Sequence, residues 1–329
     1  MSSESGAMGK DVTERAVPGL HVVDLRTIMP VALESLWQRE AHWWREHLRW
    51  DIADAQAALR RVVERGGVPG KAIQVGAQMA GYAYYVIAGR LGVLAGFSVA
   101  PEWSIPEVGR PLLQATLDAI RQHGVPRIES QCIPIDCPWL SAALEPQGFQ
   151  PYWREVLRLD LQPMPAPVPP RDHMHLEPWQ GTHLREAAAI MQAAYAESPD
   201  ADMNTFYRTV EGCSLVLDHL LNQGGGGRPV TAASALVRHR GQSIGCIVIT
   251  ETAPHQSHLV QVAVLPAYQR HGVGRWLLHY SLSQLAVRHY ETLSLLVSRA
   301  NHRALTMYHA MGFHAVLSYP VFVWDRSEK

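Results

Sequence analysis

The chain repeats itself at one spacing, and that repeat limits the fold more than any other feature. Adding 165 to a residue number carries Pro101 to Pro266, Val108 to Val273, Gly109 to Gly274, Arg110 to Arg275, Leu112 to Leu277 and Leu113 to Leu278. Further on the offset becomes 164, and Gly148-Phe149 maps to Gly312-Phe313. Solenoid units run roughly 20–50 residues, so so long a period points instead to one domain plan used twice. The 329 residues, 47% of them hydrophobic, suffice for two domains with real cores.

Between the copies, Gln162 to Pro170 carries five prolines, which suits an extended spacer and neither a helix nor a central strand. The expected division is a tail over 1–20, a first domain over 21–161, a linker over 162–171 and a second domain over 172–329. Each half begins with a strand, at 21–25 and 173–177. Two helical segments follow, at 31–50 and 52–65, then at 182–196 and 203–222. In the first half, 80–88 and 91–99 read as buried strands. Although 72–89 lacks charge, its glycines and Arg90 argue against a membrane span. The second half continues with strands at 232–238, 243–251 and 259–264, a helix at 275–290 and a strand at 292–298. A short helix at 304–311 and a strand at 316–324 close it. The fold class is α/β: two tandem domains, each a mixed, mostly antiparallel sheet flanked by helices, with both antiparallel and parallel neighbours.

Chemistry concentrates in Val262 to Gly274, which reads VAVLPAYQRHGVG. A strand turning through glycines into a helix exposes several backbone N–H groups at the positive end of the helix dipole, an anion site suited to a pyrophosphate. A net charge of -1 offers no general attraction to nucleic acid or to an anionic membrane. Cys132, Cys137, Cys213 and Cys246 form no C-x-x-C pair, which points to reduced thiols. His255 and His258 lack an evident third ligand, so no metal is expected. The N-terminus has no apolar signal core, and a cytoplasmic setting is the expectation.

Two stretches together resemble the GNAT superfamily of acyl-CoA-dependent N-acyltransferases. One is Gln269-Arg270-His271-Gly272-Val273-Gly274, of the form Q/R-x-x-G-x-G/A. The other runs from Asn301 to Phe313 as N-x-x-A-x-x-x-Y-x-x-x-G-F. The resemblance covers roughly 173–326; the first half enters only through the repeat, as a degenerate copy. It implies acetyl-CoA as cosubstrate, lying between two splayed strands. Main-chain groups of Val262, Ala263 and Val264 would pair with the pantetheine. Backbone N–H groups of Gln269, Arg270, His271, Gly272, Val273 and Gly274 would hold the pyrophosphate, with positive charge from Arg270, His271 and Arg275. Asn301 caps the following helix near the cofactor. Tyr308 is the candidate catalytic residue: a phenol near the leaving sulfur can supply a proton, since its pKa is about 10 against about 8.5 for a thiol.

The acceptor implied is a primary amine of a small molecule or peptide, attacking directly in a ternary complex. Many GNAT enzymes carry an acid on the strand entering the turn. Here Gln261 stands there, leaving Glu251, His255, His258 or a water relay as alternatives for the base. Without turnover, the chain would be an acyl-CoA-binding regulatory module.

In the first half Ser104-Ile105-Pro106-Glu107 replaces the turn, Cys137 stands for Asn301 and Leu144 for Tyr308. Pro106 lacks a donor and Glu107 repels phosphate, so this copy is expected neither to bind acetyl-CoA well nor to catalyse. Trp37, Trp43, Trp44 and Trp50 read as core or interdomain packing. Glu197, Asp200 and Asp202 are either exposed loop acids or a border of the acceptor site.

Overall fold

The computed structural model describes residues 17–163, 173–223 and 225–326. The expected tail before residue 17 and most of the proline-rich spacer lie outside the described residues.

The first half comprises β1 (Leu20–Asp24), α1 (Glu34–Leu48), α2 (Ala53–Glu64), β2 (Gly70–Val75), β3 (Gln78–Ala88) and β4 (Leu91–Val99). It continues with α3 (Pro106–Gln122), β5 (Arg127–Ser130), α4 (Leu140–Leu144) and β6 (Gln150–Asp160). The second half begins with β7 (Met174–Pro178), α5 (Leu184–Tyr195), α6 (Pro199–Met203), α7 (Val210–Asn222) and β8 (Arg228–Pro229). Then come β9 (Ala235–His239), β10 (Gln242–Ala253), β11 (Gln256–Val264), α8 (Val273–Val287), β12 (Thr292–Ser298), α9 (His302–Ala310) and β13 (His314–Asp325). Among the described residues no helix is long and apolar enough to cross a membrane.

Two helices depart from their sequence bounds for local reasons. The segment 31–50 opens as a 3₁₀ turn, Pro30–Leu33, and its helix ends at Leu48, where Arg49 turns left-handed at φ 58°. The segment 203–222 is not one helix. Asn204 caps a 3₁₀ turn through the Phe206 N–H, and Thr209 caps α7 through the Gly212 N–H. Both side chains compete with continuous helix for backbone donors. That break leaves α6 as a separate turn carrying Asp200.

The repeat is visible in the hydrogen-bond register. β4 pairs in parallel with β5 from Leu91↔Arg127 to Leu94↔Ser130, and β11 with β12 from Gln256↔Thr292 to Leu259↔Leu295. A shift of 165 carries one set onto the other. Each pair parts after four residues. At the parting point sits an extra residue: Ala95 between partners of Tyr84 and Tyr85, and Val260 between partners of Val248 and Ile249. A bulge there bends the strand away from its neighbour and opens the splay.

The thirteen strands among the described residues form one sheet. Its order is β1-β2-β3-β4-β5-β13-β6-β12-β11-β10-β9-β7, with β8 on β10. The two closing strands have changed places: β13, from the second half, pairs with β5, while β6, from the first, pairs with β12. They meet at the centre as an antiparallel pair, Arg154↔Tyr319 and Glu155↔Ser318. The sequence division assigns each closing strand to its own half; the sheet instead sews the halves together.

Packing follows the two faces. α8 lays Leu277, Leu278, Leu282 and Leu285 on one face of the second half's strands, and α5 and α7 cover the other with Ala187, Ile190, Met191 and Leu217. Each buried Leu or Ile contributes roughly 1.5–3 kcal/mol. Trp43, Trp44 and Trp50 join Met203, Tyr319, Val321 and Leu296 in a cluster that crosses between halves, while Trp37 belongs to the first half's own core.

Candidate active site

The site grows from the end of β11. Beyond the bulge, Val262–Val264 pair with β10 on one side and have no β12 partner on the other. The chain then makes a 3₁₀ turn, Pro266–Tyr268. Arg270 follows at φ 62° and Gly272 at φ 80°, and Gly272 is the N-cap of α8. Two left-handed residues in three aim successive peptide groups at one point. No side chain caps α8 and its first turn holds no acid, so the dipole's positive end is open to an anion. A Cβ built at Gly274 would touch only Val264 Cγ2, at 3.8 Å. Val273 is buried in the core, leaving only its backbone for binding.

Gln269 has a bracing role. Its Nε2 donates to the Val264 carbonyl (3.0 Å) and its Oε1 accepts from Arg303 Nη1 (2.8 Å). Arg303 then faces Arg275 across a cavity of about 400 Å³ between α8 and α9, lined also by Thr306, Met307 and Ala310. Arg303 is a cation the motif did not single out; its position two residues after the Asn301 cap, opposite the glycine turn, is the signal that could have found it. Arg270 and His271 are exposed at the turn.

Asn301 caps α9, its Oδ1 accepting from the Ala304 N–H (3.2 Å), and its side chain also hydrogen-bonds Asp200. Tyr308, about two turns further on, is 5% exposed and packs against Phe313 with ring centroids 5.6 Å apart. Burial first, then the Asp200 carboxylate, push its phenol well above the ordinary range.

Opposite Tyr308, α5, α6 and the 3₁₀ turn after α6 bring together a polar group. Asp200 is 9% exposed, and burial raises its carboxyl pKa against the lowering effects of Arg154 and the Asn301 hydrogen bond. Tyr195 donates toward Gln261 Oε1 (3.0 Å), with the Val262 carbonyl 3.2 Å away, and Gln261 Nε2 donates to the Tyr207 hydroxyl (3.1 Å). The rings of Tyr195 and Tyr207 stack at 5.0 Å. Thus the position where an acid was sought holds a fully engaged amide, and one of the expected pantetheine-pairing carbonyls, that of Val262, is met by Tyr195.

The other base alternatives sit elsewhere. Glu251 accepts from Tyr290 (2.5 Å) and pairs with Arg228, and His255 bonds the His289 carbonyl (3.1 Å). Both lie by the β10–β11 turn, Glu251 near the end of β10 and His255 just before β11, at the end of the pair away from the splay. His258 is 7% exposed, bonded to Ser294 Oγ (3.0 Å) and covered by Trp50 at 4.6 Å. Burial and then Arg154 drop its pKa to about 3, leaving a poor base. Glu197 is exposed, and Asp202 pairs with Arg208 at the surface.

The segment bearing Asp200 is gripped by the first half. Glu129, fully buried on β5, accepts from the Thr205 N–H (3.0 Å) and hydroxyl (2.9 Å) and pairs with Arg127 (2.8 Å). Gln131 donates to the Met203 carbonyl (2.8 Å), and Arg127 to that of Asp202.

Comparison with known proteins agrees with this geometry. Residues 190–313 match the acetyltransferase (GNAT) family. Over 71 residues the chain is 35% identical to the [ribosomal protein bS18]-alanine N-acetyltransferase of Escherichia coli (strain K12), and 34% identical to that of Salmonella typhimurium. These alignments cover 22% of this chain and 48% of those proteins, so the chain spans about half the length of the curated relatives it matches. A GCN5-related N-acetyltransferase from Sphaerobacter thermophilus superposes with a TM-score of 0.66 at 17% identity, covering 94% of this chain and 97% of that one. A tandem GNAT protein from the clavulanic acid biosynthesis pathway gives 0.60 at 15% identity, over 94% and 99%. The second half therefore carries a GNAT domain, and the whole chain has the fold of a tandem GNAT protein.

Proposed function

We propose that this chain, a GNAT-family acetyltransferase, moves an acetyl group from acetyl-CoA to a primary amine of a small molecule or peptide by direct attack in a ternary complex. Residues 172–329 do the chemistry; residues 21–161 bind no coenzyme and complete the acceptor side. The observation that carries the reading is one splay flanked by an uncapped helix N-terminus on one side and by Tyr308 and Asp200 on the other. A cytoplasmic setting is part of the same proposal.

The chain supplies each requirement in turn. Backbone N–H groups from Gln269 to Gly274 receive the pyrophosphate, with Arg270, His271, Arg275 and Arg303 adding charge. Main-chain groups along Val262, Ala263 and Val264, on the stretch of β11 that β12 leaves unpaired, pair with the pantetheine arm. The amine must lose a proton to attack, and Asp200 takes it; its raised pKa makes it a stronger base than an exposed carboxylate. As nitrogen bonds to the carbonyl carbon, the C–S bond breaks and the sulfur leaves with its electron pair. Tyr308, protonated throughout because its pKa lies far above neutrality, donates a hydrogen bond to that sulfur. The second proton of the attacking nitrogen passes to the departing thiolate and the proton held at Asp200 returns to solvent, so the products are an amide and a free thiol.

Thiol release from acetyl-CoA is the direct test, across amines, polyamines, aminosugars and peptide N-termini, with acetyl-CoA binding titrated in parallel. Tyr308→Phe is expected to lower kcat on the order of 10²-fold and to spare coenzyme affinity. Binding without release from any acceptor would instead favour a regulatory module, and unchanged turnover in Tyr308→Phe would remove the phenol from the mechanism.

A further inference from the structure

Arg154 is a cation in the interior of the acceptor side whose buried Nε meets no hydrogen-bond partner among the described residues. It lies on β6, the strand that the first half sends into the centre of the sheet, paired with Ser298 of β12 and Tyr319 of β13. Its neighbours two residues away on the same strand face, Tyr152 and Val156, pack into the cluster of Trp43, Trp44, Trp50 and Met203, whereas Leu157 points to the α8 side. Arg154 therefore sits on the face covered by α5 and α6. It is partly buried, its Nε is shut off from solvent and meets no hydrogen-bond partner among the described residues, and no ion pair with a carboxylate forms there.

The groups facing it are Tyr319, Tyr207, Asp200 and Tyr195, with His258 across the strands. The tyrosines are neutral, since burial raises the pKa of each. His258 is neutral as well. Asp200 is thus the one negative group in that set, close enough to interact with Arg154 through space. A guanidinium held this way meets the cost of burial only when its fork is satisfied, and a carboxylate fits it with two parallel hydrogen bonds.

We propose that the acceptor is a free amino acid, its carboxylate bound by Arg154 and its amine presented to Asp200. This deepens the acetyl-transfer reading and rests on it for the direction of the amine. One cation and one anion that interact through space and form no ion pair with each other complement a ligand that carries the opposite charges in reverse order. A peptide N-terminus has an amide where the amino acid has its carboxylate, and would leave Arg154 unsatisfied. The proposal also gives β6 a purpose in the second half's site: the degenerate half delivers the specificity residue.

The test uses the full chain and matched pairs: the free α-amino acids, β-alanine and 4-aminobutyrate, each against its carboxamide. Both binding, by calorimetric titration in the presence of CoA, and thiol release from acetyl-CoA are read. At least one free acid is expected to exceed its amide about 10- to 100-fold in affinity and in kcat/KM, as a charge-assisted bidentate contact requires. Arg154→Met is expected to bring that ratio close to 1, and Arg154→Lys to leave an intermediate preference. Acids that bind selectively without turnover would uphold the site and sink the catalytic reading. Amides or peptide N-termini used as well as the acids, no acid bound, or a ratio unmoved in Arg154→Met would overturn the proposal while leaving acetyl transfer standing.

Discussion

The molecule contains the same splayed strand pair twice, and the two copies differ in what occupies the opening. In the first half Ile105, the counterpart of Arg270, is extended at φ -113°, and α3 starts directly at Pro106 with Glu107 in its first turn. No left-handed residue turns a peptide toward the opening, one N–H is missing and a negative charge stands in the way. The space itself is filled. Trp139 lies on α3 so closely that a Cβ at Gly109 would come within 2.1 Å of its Cζ2, and its ring meets Phe97 edge-on at 6.0 Å. In the second half the counterparts are Gly274, with nothing nearer than 3.8 Å, Val262 and Arg303. Duplication thus kept the strand register and bulge of both copies. One opening became a packed core, and the other kept room for a ligand.

The largest expected effect comes from making the second copy resemble the first. Arg303→Trp places an indole at the position of Trp139 and removes a cation from the cavity beside α8, and should abolish acetyl-CoA binding in a titration while leaving the fold intact by circular dichroism. Gly272→Glu, which copies Glu107, should do the same by forcing a side chain to φ 80° and setting a charge against the pyrophosphate. If either variant binds acetyl-CoA with native affinity, the phosphate site is misassigned and the contrast between the copies fails.

Asp200→Asn comes next. Removing the base should reduce kcat on the order of 10²–10³-fold. In the parent protein kcat/KM should be lost as pH falls through the raised pKa of Asp200, so its acid limb lies above that of an ordinary aspartate. The linkage runs opposite in stability. An acid whose folded pKa is raised favours the native state only while protonated; above that pKa the buried charge destabilises it. Asp200→Asn should therefore melt higher than the parent at neutral pH, a trade of stability for activity. Equal melting temperatures and a retained acid limb would count against Asp200.

A smaller effect probes what the silent half contributes. Glu129→Ala frees Thr205 and leaves Arg127 with Asp325 as its remaining carboxylate. Removing one partner of a buried pair typically destabilises by about 3–5 kcal/mol. The functional effect should be a rise in acceptor KM of about tenfold with coenzyme affinity unchanged, because the α6 segment shifts and the α8 turn does not. Coenzyme affinity falling in step with acceptor affinity would mean that the halves are not divided by task.

Much of this was legible in the chain because it is local. The glycine turn, the Asn301 cap and Tyr308 are short-range patterns that fix backbone geometry or place one side chain on one helix, and the 165-residue offset shows on comparing the two halves of the sequence. The strand exchange was not, since β6 and β13 have the same alternation whichever sheet they join, and without it Arg154 has no reason to be near Tyr195. Asp200 was visible as an acid in a loop, but its burial depends on Asn204 breaking the helix and on Glu129 gripping Thr205 from the other half. Trp139 carries no local signal of its role; that it sits on Gly109 is a tertiary contact.

The smallest expected effect at neutral pH, and the most specific to the seam between halves, concerns His258. The first half's Trp50 seals it, donating through Nε1 to the same Ser294 Oγ (3.2 Å) that His258 contacts. The folded pKa is about 3, below the unfolded value of about 6.5, so the native state binds fewer protons across that window. Stability is fully present above pH 6.5 and is lost progressively as pH falls toward 3. His258→Gln, which keeps a polar group beside Ser294 but cannot be protonated, should match the parent's melting temperature at pH 7.5 and exceed it at pH 5. A parent whose melting temperature falls no faster than the variant's between those values would mean that the histidine reaches water, and that the tryptophan seam between the copies opens in solution.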